Sequence, residues 1–317
     1  MEQNNTRRRF LQLSGSAVAA AAGLGAAGSA GAAVADWVSV ETPASSTLYD
    51  VKTTNNGVYA VGSGGIVLSR TAAGYLTVLD DGPTGNGNTL RGASVSDDGK
   101  RLWFVGNSGA IGEYDVETGD LNDYSAPNDV TNNFNDVAVT GNAGEANVYV
   151  AGDSGKMYYS FDNGETFDDV TPASGSNINA VDFHDERSGH IVDGNKTVLY
   201  TDDGATWDKL GIADANTNFY GVDSDDADDV TVSGGGGTVW NWDGNEWRRG
   251  DTGDAGLRDV EAAGQSALTV GGGGKVFREV DGLLTQEDTQ TSENLRAVLP
   301  GDLEVAVGAG GTVIERA

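Results

Sequence analysis

The sequence predicts an all-β fold: a seven-bladed β-propeller of four-stranded antiparallel blades, closed by the N-terminal strand completing the last blade. Three observations lead there: a phrase that occurs seven times, a glycine pair that follows it, and an outer-strand pattern at the opposite end of the chain from where it is missing. The phrase is an apolar residue, a variable residue, a small or acidic residue, then Val or Ala. It reads Leu48-Tyr49-Asp50-Val51, Leu90-Arg91-Gly92-Ala93, Phe134-Asn135-Asp136-Val137, Ile178-Asn179-Ala180-Val181, Phe219-Tyr220-Gly221-Val222, Leu257-Arg258-Asp259-Val260 and Leu295-Arg296-Ala297-Val298. Measured from Val51 the steps are 42, 44, 44, 41, 38 and 38 residues. A period of about 40–45 residues filled with short alternating runs and glycine turns is that of propeller blades.

Each unit continues into Val-Gly-x-x-Gly: Val61-Gly62 with Gly65, Val105-Gly106 with Gly109, Ala151-Gly152 with Gly155, Val270-Gly271 with Gly274, and Val307-Gly308 with Gly311. The phrase is degenerate in blade four (residues 192–196) and reads with an extra residue in blade five (residues 232–237). Between two β runs such glycines supply the positive φ angles of a tight hairpin. A phosphate-cradling loop would need a strand–loop–helix context, and the chain after residue 35 has no helical periodicity.

Blade three ends in Phe167-Asp168-Asp169-Val170-Thr171-Pro172 and blade four in Trp207-Asp208-Lys209-Leu210, an aromatic-x-x-apolar outer strand. The last unit stops at Ala317, before such a strand, whereas Trp37-Val38-Ser39-Val40 carries the pattern near the start. Pairing the two ends would bury both terminal edges, which otherwise invite aggregation. A monomer is expected.

Residues 1–35 differ in kind from residues 36–317, which form the single propeller domain. Thr6-Arg7-Arg8-Arg9-Phe10-Leu11 is a twin-arginine motif, followed by an Ala/Gly stretch and then Ala33-Val34-Ala35, a small-x-small site for cleavage after Ala35. This order of basic region, apolar region and cleavage site predicts an exported, extracytoplasmic protein. The alternative is an uncleaved membrane anchor, although residues 17–35 are barely long enough to span a bilayer.

Without residues 1–35 the chain has 47 acidic and 16 basic residues. Such self-repulsion destabilises a compact protein at low ionic strength, whereas molar salt shortens the Debye length to about 3 Å. With only six lysines and acids spread over every blade, the composition points to a halophile. Nucleic acid and anionic membrane surfaces are poor partners for that field. The absence of cysteine excludes disulfides, thiolate metal sites and a cysteine nucleophile, and neither metal nor cofactor is expected.

Two turns carry a recognisable motif. Ser160-Phe161-Asp162-Asn163-Gly164-Glu165-Thr166-Phe167 and Tyr200-Thr201-Asp202-Asp203-Gly204-Ala205-Thr206-Trp207 are similar to the Asp-box, Ser-x-Asp-x-Gly-x-Thr-Trp. Ser160, Asp162, Gly164, Thr166 and Phe167 fill it in the first turn, and Asp202, Gly204, Thr206 and Trp207 in the second. Trp242-Asp243-Gly244-Asn245-Glu246-Trp247 is a shortened relative. The carboxylate accepts turn N–H groups while the aromatic packs into the blade. A Ca²⁺ loop would need about six to eight oxygen ligands, more than such a turn offers.

Together, the Asp-boxes, the glycine hairpins and the inner-strand phrase resemble the photosystem II stability/assembly factor-like propellers, a branch of the BNR/Asp-box repeat proteins, over residues 37–317. The resemblance implies a non-catalytic extracytoplasmic module that holds membrane-protein subunits, partly through an arginine patch. Nothing in the chain suggests a photosynthetic organism, so the client expected is an unidentified protein, such as part of a membrane or envelope complex.

The variable residue of the phrase precedes the strand nearest the axis, and in blade order it reads Tyr49, Arg91, Asn135, Asn179, Tyr220, Arg258, Arg296. Closure would bring Arg258, Arg296, Tyr49 and Arg91 to one side of the channel rim, with Tyr220 on the next blade. Guanidinium forks suit a carboxylate or acidic peptide. The plainer alternative, and the one the acidic composition favours, pairs each arginine with a neighbouring acid such as Asp50 or Asp259.

Two other function classes remain. A sialidase-like hydrolase or glycan binder would use an arginine cluster, a tyrosine nucleophile and carboxylates, of which Tyr49 among three arginines is a partial echo. Sialidase domains, however, have six blades. A passive envelope protein is the third class; the sequon Asn195-Lys196-Thr197 is compatible with any secreted protein. His184 and His190, only six residues apart with no third histidine, read as turn or surface residues rather than metal ligands.

Overall fold

The computed structural model describes residues 36–172, 176–253, 255–263 and 266–317. The twin-arginine segment with Arg7, Arg8 and the Ala35 site lies outside them. The described residues form seven four-stranded antiparallel sheets, the seven blades. Among them no helix is long and apolar enough to cross a membrane. The inner strands begin at the repeated phrase: Leu48–Thr54, Leu90–Val95, Phe134–Thr140, Ile178–Phe183, Phe219–Asp226, Leu257–Ala263 and Leu295–Leu299.

The first residue of each phrase is fully buried, from Leu48 round to Leu295, because it packs between its own blade and the preceding one. One cluster joins Leu48, Val51 and Leu68 of blade one to Val305, Val307 and Val313 of blade seven. Each such seam removes apolar surface from water at about 25 cal/mol per Å², so the ring is a series of inter-blade cores.

Blade seven closes as expected. Val38–Val40 pairs antiparallel with Val313–Arg316, Val38 opposite Glu315 and Val40 opposite Val313. Trp37, 1% exposed, packs among Leu268, Val270, Leu295 and Ile314 across the blade-six seam. Ion pairs flank both sides. Arg70 of blade one forms a bidentate pair with Glu315 at 2.7 and 2.9 Å, to which Tyr75 adds a 3.0 Å hydrogen bond. On the other side Arg278 and Arg316 hold Glu287, at 2.7 and 2.6 Å.

The glycine hairpins differ from the sequence reading in one respect. Only the second glycine of each pair is left-handed, as at Gly109 (φ 74). The first is extended, and is required instead by close approach: a Cβ on Gly106 would sit 2.0 Å from the Thr89 carbonyl oxygen. Nor does blade five carry an extra residue. Ser233 replaces the usual valine, and the turn Gly235–Gly237 matches the others. In blade four Asp193 takes over the turn, accepting from the Asn195 and Thr197 amides at 2.8 and 2.9 Å, with Asn195 exposed.

Candidate functional site

The rim owes its geometry to a bulge repeated in every blade. Register shifts fall between Leu48 and Asp50, Leu90 and Gly92, Phe134 and Asp136, Ile178 and Ala180, Phe219 and Gly221, Leu257 and Asp259, and Leu295 and Ala297. The skipped residue is always the variable one, and a bulge re-aims its side chain out of the ladder. All seven variable residues line one axial cavity of about 240 Å³.

Blades five, six, seven, one and two contribute Tyr220, Arg258, Arg296, Tyr49 and Arg91 to that cavity. The Tyr49 ring lies between two guanidiniums, Arg91 and Arg296, each 5.8 Å from its centroid. Arg258 lies 4.4 Å from the centre of the Tyr220 ring. Arg91 Nε donates to Asn107 Oδ1 at 2.6 Å, and Arg296 Nε is buried with no hydrogen-bond partner. Burial, then the neighbouring charge of Arg258, lowers the Arg296 pKa from its ordinary value. The other two blades present amides turned to the backbone: Asn135 Nδ2 donates to the Ile178 carbonyl at 3.0 Å and Asn179 Nδ2 to that of Phe219 at 2.6 Å.

The counter-ion expectation fails. Among the described residues no carboxylate pairs with Arg91, Arg258 or Arg296. The reason is that the acids beside them are already engaged. Asp50 accepts from its own neighbour Val51 N and from Ala93 N of the next blade, both at 2.7 Å; Asp259 accepts from Val260 N at 2.9 Å and Val298 N at 2.8 Å. Asp136 repeats the clasp with Val137 N and Val181 N at 2.8 and 2.9 Å. A carboxylate in the third phrase position thus ties its blade to the next, which a neighbouring arginine would have to disrupt.

Beneath the rim lies an acidic throat. Asp50, Asp136, Asp182, Asp259 and Glu261 line the same cavity below the arginines, together with Lys52. Lys52 Nζ bonds Glu261 at 2.7 Å and lies 3.7 Å from Asp50. Although burial opposes its charge, Asp50, Glu261 and Asp259 hold Lys52 protonated well above the usual lysine range. Burial, then the Glu261 charge, pushes Asp259 up to about 7; burial, then the Asp50 charge, raises Asp136 well above the carboxylate range. The sequence reading missed this layer, whose signal is the acid that follows the rim residue and the charge two positions further on.

The Asp-box turns need one correction. In the first, Asp162 accepts from Thr166 N and Oγ1 at 2.9 and 2.6 Å and from Ser160 Oγ at 2.8 Å, over Gly164, while Phe167 is buried. In the second, the acceptor is Asp203 rather than Asp202. Asp203 takes Ala205 N, Thr206 N and Thr206 Oγ1 at 2.8, 2.7 and 2.8 Å, and Asp202 is exposed. That loop starts from Thr201 and is one residue shorter, so Gly204 directly follows the acid, and Trp207 meets Phe183 edge-on at 6.0 Å. Both turns lie apart from the channel. His184 and His190 place their Nδ1 atoms 2.9 and 2.7 Å from Ser224 Oγ. Buried rather than surface, His190 is depressed to about 3 by burial and then by the charge of His184.

No family model matches the chain, and no curated protein matches it. Solved structures do. By fold the chain is a seven-bladed β-propeller, similar to a catalytically inactive virginiamycin B lyase from Staphylococcus aureus crystallised with quinupristin (14% identity, 88% of this chain and 98% of that one, TM-score 0.76). It is similar also to YCF48 bound to D1 peptide (14% identity, 91% and 99%, TM-score 0.71) and to the WD40 repeats of RRP9 (10% identity, 89% and 97%, TM-score 0.73). At these identities the likeness is one of fold, shared by an enzyme and by propellers of other kinds.

Proposed function

We propose that this chain is an exported, non-catalytic propeller that holds a protein client by an acidic segment at the arginine–tyrosine side of its channel mouth. The observation that carries the reading is the convergence of Arg91, Arg258 and Arg296 around Tyr49 and Tyr220 with no paired carboxylate among the described residues. Guanidiniums left unpaired in so acidic a protein are available for bidentate oxygen ligands. The photosystem II assembly factor-like reading of the sequence agrees with the fold likeness to YCF48, whose structure holds a D1 peptide.

A hydrolase has less support, because no carboxylate bonds the Tyr49 hydroxyl among the described residues to activate it. Titrating the propeller, in molar potassium chloride, with an N-acetylated tetrapeptide of glycine and aspartate tests the site. Saturable binding that Arg→Ala changes at 91, 258 and 296 abolish supports it; equal binding by the triple variant refutes it. Crosslinking in intact cells then identifies the client, and N-terminal sequencing of extracellular protein, expected to start at Asp36, tests export.

A further inference from the structure

We propose that anion capture at the rim is proton-coupled: when an anion settles on Arg91, Arg258 and Arg296, the throat carboxylates directly beneath take up a proton. The proposal rests on the binding reading above and adds its regulation.

Rim and throat share one cavity and are consecutive in the chain. Arg258 is followed by Asp259, Tyr49 by Asp50 and Asn135 by Asp136, with successive Cα atoms about 3.8 Å apart. A bound anion therefore adds negative charge close to carboxylates already crowded together. The charged groups facing Asp259 come from most of the inner strands. Blade one supplies Asp50 and Lys52, blade three Asp136, and blade four Asp182. Blade five supplies Asp223, which feels the charges of Glu261, Asp182 and Asp225. Blade six adds Glu261 and Arg258, and Arg296 and Arg91 stand at the mouth of blades seven and two.

Among the described residues Lys52 is the one cation within the throat itself, and burial with mutual repulsion among the carboxylates favours protons on part of the set. Burial and the Glu261 charge push Asp259 up to about 7, and Asp136 and Asp223 are raised well above the ordinary range. A like charge favours the protonated form of a carboxylic acid. Anion binding thus raises these pKa values further and draws in protons; by reciprocity, protonation strengthens anion binding. A guanidinium is not deprotonated in proteins, so falling pH removes throat repulsion without weakening the rim. Because the channel is partly buried, molar salt screens this coupling less than it screens surface charges.

Calorimetry with the same acetylated glycine–aspartate peptide, in two buffers of different ionisation heat, measures the protons taken up. Peptide carboxylates are fully ionised above pH 6, so uptake belongs to the protein. We expect net uptake near pH 7 and affinity about fivefold higher at pH 6 than at pH 8. Glu261→Gln, which leaves Lys52 its contact with Asp50, should bind more tightly at pH 8 and take up less proton. Asp259→Asn should do the same; if loss of its clasp prevents folding, Glu261→Gln alone decides. Arginine-dependent binding with no proton uptake and no pH dependence overturns this proposal and leaves the rim reading standing. No binding at any pH, or binding indifferent to the three arginines, overturns both.

Discussion

The indole Nε1 of Trp37 donates a 2.7 Å hydrogen bond to Glu287 Oε2, joining positions 250 residues apart in sequence. That carboxylate also receives Arg278 and Arg316, and Arg278 continues to Glu304 at 2.7 Å. The last blade is therefore fixed by a strand pairing, a buried indole and an ion network, all converging where the two chain ends meet.

Trp37→Ala removes the indole from its seam and should cost about 3–5 kcal/mol. Trp37→Phe keeps most of the packing and loses the hydrogen bond, so about 1–2 kcal/mol is expected. Urea denaturation at fixed molar salt distinguishes them. Deleting residues 36–43 should destabilise at least as much as Trp37→Ala, and an unchanged midpoint would mean that blade seven does not depend on this strand.

Replacing Arg91, Arg258 and Arg296 together by Ala should leave the fold nearly intact. The three repel one another, and the Asp50 and Asp259 clasps do not involve them. A shift in Tm of less than about 4 °C is expected, read by circular dichroism. Early melting would show that they serve as counter-charges after all.

Asp203→Ala should destabilise the second Asp-box turn by about 1 kcal/mol, since its hydrogen bonds are solvent-exposed and each contributes little net. Asp202→Ala should fall within about 0.5 kcal/mol of the parent. Asp203 is depressed to about 2 by the Thr206 and Ala205 amides. Its contribution is therefore full above the unfolded aspartate pKa, about 3.9, and is lost as pH falls through about 2. Acid titration of the two variants compares these directly.

His190, held near 3 by burial, should show ring resonances that stay unchanged from pH 8 to pH 5 in an NMR titration. The sign follows: an unfolded histidine titrates at about 6.5, so folding excludes a proton that the unfolded chain binds, and stability falls as pH drops below that value. Resonances moving with a midpoint near 6.5 would mean that the histidine is solvated.

As salt falls from molar to about 0.1 M the Debye length grows from about 3 to about 10 Å, and repulsion among surface acids should lower Tm. Thermal melts across a potassium chloride series check it. Salt-insensitive melting would mean that the acidity serves something other than halophilic stability.

By itself the sequence determined what is local or periodic. An apolar residue every 38–44 positions sets where inner strands begin, because that side chain must be buried between blades. The stray pattern at Trp37 located the closing strand, since a missing outer strand leaves an edge that only the other terminus fits. Even the seven rim residues were legible, because a bulge at a constant phrase position sends all of them to one end of the channel. Tertiary structure alone decided which charges meet. Whether Asp50 serves Arg91 or the Ala93 amide, and whether Lys52 reaches Glu261 across the gap of blade seven, depends on ring geometry between residues 43 and 209 positions apart. The choice of Asp203 over Asp202 likewise depends on how a shortened loop turns. Electrostatic partners are set by distances of a few ångströms in three dimensions, and a repeat period along the chain does not encode them.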